Sequence, residues 1–177
     1  ATVHAKEFIM TDVQIHVPEC DPHQPNPVAG TTEPLCRKQA PWGHDHEARR
    51  WHLRTHYLVG SGLDVPGVAR PLALDAEAEG LSLSLAWLPG SNLAGSGAAF
   101  SFAQTFHVGA QLAGILAALS DRGVVHGQIR PEHVLHDRAT GATALLDFGQ
   151  ARFERAIAND PEGRLKQHSD DLVDLGR

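Results

Sequence analysis

The amino-acid sequence predicts an α+β fold in which a strand-rich first half is followed by a mainly helical second half. Large apolar and small residues alternate over residues 81–88, which is the period-two pattern of a strand. Apolar side chains recur at helical spacing over residues 102–119, which predicts a long amphipathic helix. Hydrophobic residues make up 42% of the 177 residues and charged residues 20%, as is typical of a chain that folds around an apolar core.

The first half begins with residues whose structure is predicted to be largely irregular. Five prolines between residues 18 and 34 predict a loop, and a short strand is predicted over 35–40. A helix is predicted over 44–59. One face of this helix carries Trp51, Thr55 and Leu58.

Two better-defined strands follow, over 70–74 and 81–88. The acidic turn at 75–80 joins them, so the pair is predicted to form an antiparallel hairpin. Because large and small side chains alternate along 81–88, we expect that strand to bury only one of its two faces.

The second half is predicted to be built on the helix over 102–119. Ser101 is a suitable N-cap, and Gly123 is suited to end the helix. Short apolar strands are predicted at 124–125, 134–135 and 144–146. The apolar positions that recur along the helix are Phe102, Phe106, Leu112, Leu116 and Leu119.

Charge and composition exclude several classes of protein. The net charge is −6 and the basic residues are scattered, which argues against nucleic acid as a partner. Apolar runs fall short of the ~20 residues of a membrane span. The two cysteines, Cys20 and Cys36, are too few for a disulfide scaffold and fit a reducing compartment. We therefore expect a cytoplasmic protein.

Two motifs carry the functional signal. Residues 126–133 read HGQIRPEH, and residues 147–149 read DFG. Together, at this spacing, they resemble the catalytic loop and the metal-binding loop of bacterial, eukaryotic-like Ser/Thr protein kinases, whose motifs are HRDLKPEN and DFG. The resemblance extends over roughly residues 35–177. It implies a two-lobed kinase-like fold, with a β-rich N-lobe at 1–88 and a partial α-rich C-lobe at 89–177.

The resemblance also assigns expected roles to individual residues. Lys38 corresponds to the lysine of the family's third strand, and Asp147 to its first metal ligand. Leu85 corresponds to the gatekeeper, which would place the backbone of Ala86 and Leu88 opposite the adenine of ATP. His133 stands where the family has an asparagine as its second metal ligand.

The same comparison shows where the family's chemistry is disrupted. Gln128 replaces the catalytic aspartate, and a neutral amide cannot take up the proton of a substrate hydroxyl. Arg130 replaces the catalytic-loop lysine, and an imidazole at 133 suits Mg²⁺ poorly. His56 stands in place of the glutamate that pairs with the third-strand lysine. No glycine-rich loop precedes Lys38.

The resemblance therefore implies a pseudokinase, which acts as a binding or regulatory module with a protein partner and binds ATP and Mg²⁺ weakly or not at all. The alternative is an active ATP-dependent Ser/Thr protein kinase, or a related phosphotransferase, with a non-standard catalytic loop. It stays open because positioning and charge stabilisation supply most of phosphoryl-transfer catalysis.

Two further expectations concern the histidines and the end of the chain. A zinc site built from His44, His46, His52 and His56 is an alternative, but we favour solvated histidines on a polar helix face because no CxxC spacing accompanies them. Asp171 corresponds to the family's anchoring aspartate, and the sequence ends six residues later. Family members continue there with further helices, so we expect a truncated C-lobe or another chain that covers it.

Overall fold

The computed structural model describes residues 35–95 and 100–154. Within this part of the chain the fold is α+β, with two α-helices and eight short strands, as the sequence predicts. This arrangement is consistent with part of a kinase-like fold. The predicted loop at 18–34, Cys20 and Asp171 lie outside the described residues, and the lobe boundary at residue 88 stays a prediction.

The first sheet contains three antiparallel strands. Strand β1 is Leu35–Pro41, β2 is Pro71–Ala76 and β3 is Gly80–Ala86, and their order in the sheet is β1-β3-β2. The predicted hairpin is therefore confirmed as β2 and β3. The register places Lys38 of β1 beside Leu83 of the central strand β3.

The central strand buries both faces, whereas the alternation in its sequence predicted one buried face. Ser82 and Ser84 are buried along with the leucines between them. Ser82 satisfies its hydroxyl by accepting a hydrogen bond from Nε of Arg37 at 2.6 Å. Serine side chains in β3 are therefore buried as well as leucine side chains. The alternation of leucine and serine along this strand reflects a difference in side-chain size and not in exposure to solvent.

The first helix, α1 (Glu47–Gly60), follows a 3₁₀ turn at His44–His46. The face that carries Trp51 and Leu58 points to solvent, since each of these side chains is 67% exposed. The buried face consists of His52, Leu53, His56, Val59 and Gly60. Two buried histidines thus occupy positions that an apolar pattern would have assigned to leucine or valine.

The second helix, α2 (Phe102–Ser120), begins at the predicted N-cap. Ser101 accepts a hydrogen bond from the backbone of Gln104, whose side chain accepts one from the backbone of Ser101, so that the two form a capping box. The buried positions are Val108, Leu112, Ile115 and Leu119. Phe102 and Phe106, which the helical repeat placed on the apolar face, are instead 88% and 70% exposed.

By length and composition alone, α2 is the one helix of the described residues that is long and apolar enough to cross a membrane. Core helices of soluble proteins can have the same length and composition, so α2 by itself is weak evidence for a membrane span.

Short strands and turns connect α2 to the site. Strands β4 (Ser91–Asn92), β6 (Val134–His136) and β7 (Thr143–Leu145) form one small sheet, and β5 (Val124–Val125) pairs with β8 (Arg152–Phe153). Two 3₁₀ turns, Pro131–His133 and Phe148–Gln150, lie between these strands. The first turn contains the last three residues of the 126–133 motif, and the second contains Phe148 and Gly149 of the 147–149 motif.

Two clusters of buried apolar side chains support these elements. Leu53 of α1 packs against Ala40, Leu83 and Leu85 in the cluster beneath the first sheet. The larger cluster surrounds α2 and includes Phe148, which is fully buried. Phe148 therefore fixes the turn that carries Asp147 to the larger core.

Candidate functional site

Four basic side chains converge on the carboxylate of Asp147. Nε2 of His52 lies 2.6 Å from Oδ1, and Nζ of Lys38 lies 3.4 Å from the same oxygen. Nδ1 of His56 is 3.8 Å from Oδ1, and Nε2 of His133 is 3.4 Å from Oδ2. The sequence-predicted residues Lys38, His133 and Asp147 are thus brought together, and two histidines of α1 join them.

Different elements supply these side chains. Lys38 lies in the middle of β1, and His133 ends the 3₁₀ turn Pro131–His133. His52 and His56 are one helical turn apart on α1, so both lie on the same face. Asp147 follows β7 with φ 67° and ψ 71°, a left-handed conformation that aspartate adopts more readily than most residues.

The surroundings of Asp147 keep it ionised. Burial raises its pKa, but the ammonium of Lys38 and the hydrogen bond from His52 outweigh burial and hold the pKa well below the ordinary value. An ionised carboxylate can only accept hydrogen bonds. Nε2 of His52 therefore carries the hydrogen and donates it to Oδ1.

His56 is a neutral, enclosed imidazole. Burial, and next the charge of Lys38, lower its pKa to about 3. Neither of its ring nitrogens, nor Nδ1 of His52, makes a hydrogen bond within the described part of the chain. His56, which the resemblance aligns with a glutamate of the family, therefore supplies no negative charge, and Lys38 lies within ion-pair distance of Asp147 instead.

His126 ties the 126–133 loop to the segment before Asp147. Its Nε2 donates to the carbonyl of Leu146 at 2.9 Å, and its Nδ1 accepts from the backbone N–H of Gln128 at 3.3 Å. Burial lowers its pKa to about 4. The ring also packs edge-on against Phe148 at 4.8 Å between centroids. A neutral His126 therefore serves as a structural bridge between the two motifs.

The remaining predicted residues lie around this centre. The backbone carbonyl of Gln128 accepts a hydrogen bond from Nδ1 of His133 at 2.9 Å, and Arg130 is exposed. Leu85 is buried in β3, the N–H of Ala86 donates to the carbonyl of Arg70 at 2.8 Å, and Leu88 is half-buried after the strand. Their expected catalytic and adenine-binding roles stay predictions.

The prediction that the histidines of 44–56 form a solvated face is wrong for His52 and His56, because these side chains are 5% and 0% exposed. Their four-residue spacing could have predicted that His52 and His56 share one face of the helix, away from the face that carries Trp51 and Leu58. His44 is exposed and His46 is half-buried, so the four histidines do not share one environment.

The magnesium ion that the resemblance implies does not fit these side chains. Mg²⁺ prefers six oxygen ligands in octahedral geometry, whereas three imidazoles and an ammonium surround Asp147. Oδ1 already accepts the hydrogen bond from His52. Within residues 35–95 and 100–154, no group of three or more His, Cys, Asp or Glu side chains is arranged to hold a metal ion.

Comparison with known proteins points to kinases at a distance. No family model matches the chain. It is similar to Serine/threonine-protein kinase C of Synechocystis sp., with 28% identity over 118 residues, which is 65% of this chain. This similarity supports a kinase-like domain. The chain spans only 22% of the length of that relative, so the relative's activity does not transfer with the similarity.

Proposed function

We propose that this kinase-like domain is a pseudokinase, a binding or regulatory module that does not transfer phosphate. The observation that carries the proposal is the buried hydrogen bond that Asp147 accepts from His52. This carboxylate is the residue that the resemblance would use to hold a metal ion on ATP. In this protein its Oδ1 is already occupied by the His52 ring.

The 126–133 loop supports the same conclusion from the substrate side. Gln128 stands where a carboxylate would accept the proton of the substrate hydroxyl, and general-base assistance is worth roughly 10²–10⁴-fold in rate. His133 presents a nitrogen where the family presents an oxygen. Two independent parts of phosphoryl transfer, the metal and the base, are therefore weakened together.

The experiment is a phosphotransfer assay of the unmodified chain with radiolabelled ATP, supplemented with Mg²⁺ or Mn²⁺. We expect no transfer, either to the chain itself or to a generic Ser/Thr peptide. The matched control is Asp147→Asn, which keeps the size of the side chain and should show the same absence of transfer. Phosphotransfer by the unmodified chain that disappears in folded Asp147→Asn would overturn the proposal.

One observation favours the alternative, an active ATP-dependent kinase or phosphotransferase with a non-standard loop. Lys38 and Asp147 lie 3.4 Å apart, which is the juxtaposition that the resemblance implies for a working nucleotide site. The same assay separates the two functions, because Lys38→Met would abolish transfer by an active enzyme.

Nucleotide binding forms a separate part of the proposal. We expect ATP to bind weakly or not at all, since the cation that accompanies ATP has no suitable site at Asp147. Thermal unfolding with ATP, with and without Mg²⁺, measures this directly. A rise in Tm that requires both ATP and Mg²⁺ would contradict it.

A protein partner and a cytoplasmic location belong to the same proposal. The outward face of α1 presents Trp51 and Leu58, which are both largely exposed. A net charge of −6 supports a partner other than nucleic acid.

A further inference from the structure

His52 holds the carboxylate of Asp147 from the side of α1. The two side chains are 6% and 5% exposed, and their hydrogen bond is 2.6 Å long. Hydrogen bonds to a charged acceptor are shorter and stronger than those between neutral groups, and burial shields this one from competing water. The contact is therefore a buried, charge-assisted hydrogen bond that belongs to the interior of the fold.

Gly149 makes room for the His52 ring. A Cβ atom at residue 149 would lie only 2.1–2.2 Å from three atoms of that imidazole, much closer than such atoms can approach. The ring thus lies directly on the backbone of the turn Phe148–Gln150, against which α1 packs. Residue 149 must be glycine for His52 to reach Asp147 in this way.

Lys38 engages the same oxygen from β1. The carboxylate therefore joins three parts of the fold: strand β1, helix α1 and the turn that follows β7. Among the described residues, Asp147 is the one non-glycine with a positive φ. Contacts that over-determine a side chain can sustain such a backbone conformation.

We propose that His52 and Lys38 form a latch that occupies Asp147 in place of a divalent cation and fixes α1 against the Phe148–Gln150 turn. The inference rests on the non-catalytic function proposed above and names the contact that keeps a cation from the site. A cation can take the place of His52 on Oδ1 of Asp147 only when the ring leaves it. The latch thus prevents Oδ1 from serving as a metal ligand.

The test compares two variants of the full chain that differ only at residue 52. His133→Asn restores the oxygen ligand of the family but leaves the latch closed. Combining it with His52→Ala removes the His52 half of the latch, which is the half hydrogen-bonded to Oδ1 at 2.6 Å. The probe is Mn²⁺ alone, without nucleotide, measured by the electron paramagnetic resonance signal of the unbound ion. We expect the double variant to bind Mn²⁺ at least about tenfold more tightly than His133→Asn or the unmodified chain. Adding Asp147→Asn to the double variant should remove that binding.

Equal binding by His133→Asn and the double variant would overturn the latch, and so would a folded double variant that binds no Mn²⁺. If the double variant does not fold, the unmodified chain still decides the question. Paramagnetic Mn²⁺ broadens nuclear magnetic resonance signals of groups close to it, so the His52 ring signals should stay sharp while the latch is closed. Their selective broadening would refute the proposal. Neither measurement uses ATP, so these outcomes are independent of the phosphotransfer assay.

Discussion

The two helices of this domain are held in place by different forces. Helix α2 buries aliphatic side chains such as Leu112 and Ile115, and a capping box satisfies its first turn. Helix α1 buries Leu53 and Val59 but also two histidines, one of which is hydrogen-bonded to a buried carboxylate. Apolar packing does not depend on pH. A buried polar contact, by contrast, depends on the charge of each partner and on the geometry of the hydrogen bond. The position of α1 should therefore respond to changes that leave α2 undisturbed.

The largest effect should come from removing the carboxylate that α1 contacts. Asp147→Ala leaves Lys38 buried without its partner, and breaking a buried pair in this way typically costs about 3–5 kcal/mol. We expect the free energy of unfolding in urea to fall by an amount of that order. Amide hydrogen exchange should accelerate more in α1 than in α2, because only α1 loses a direct contact.

Asp147→Asn provides the matched control for this prediction. It keeps the size of the side chain and an oxygen that can accept from His52, but it removes the charge that faces Lys38. An intermediate loss of stability is expected. Equal acceleration of exchange in both helices would show that α1 is not held separately.

A smaller effect should appear on acidification. The pKa of His56 is about 3 in the folded protein and ordinarily 6.5, so the unfolded chain binds the proton more readily between these values. Stability is then fully present above pH 6.5 and is lost as the pH falls toward 3. This residue should contribute a loss of about 2 kcal/mol between pH 7 and pH 5, to which His126 adds in the same direction.

Urea unfolding at a series of pH values measures this slope. His56→Leu replaces the titrating group with an apolar side chain. The free energy of unfolding of this variant should therefore fall less steeply as the pH is lowered over the same range. Trp51→Ser, an exposed substitution on α1 that changes no titrating group, is the control and should leave the slope unchanged. A slope in His56→Leu that matches the unmodified chain would contradict the assignment.

The sequence predicted which residues lie close together at the Asp147 site, whereas their chemical roles stay predictions. Two motifs and one lysine predicted that Lys38, His133 and Asp147 belong to one site, and the structure places them together. The β2–β3 hairpin and the N-cap Ser101 were also predicted correctly, since both are short-range features. The predicted face of α1 was wrong, and that of α2 was wrong at Phe102 and Phe106 but right at Leu112 and Leu119, because large apolar residues were assumed to be buried. Burial of His52 depends on contacts with residues 95 and 97 positions later in the sequence, Asp147 and Gly149, which no local pattern contains.

The smallest effect should come from the outward faces that were taken for apolar interior. Trp51 of α1 and Phe106 of α2 are 67% and 70% exposed, so replacing either with serine removes little buried surface. Surface substitutions away from special features usually change stability by less than about 0.5 kcal/mol. Trp51→Ser and Phe106→Ser should therefore both have a free energy of unfolding close to that of the unmodified chain.

Leu53→Ala, on the opposite face of α1, is the matched comparison and should cost about 2–5 kcal/mol because that side chain is 3% exposed. A loss for Trp51→Ser as large as that for Leu53→Ala would mean that α1 is rotated about its axis, which would also move His52 away from Asp147. The comparison thus checks the helix orientation on which the latch depends, without altering any residue of the site.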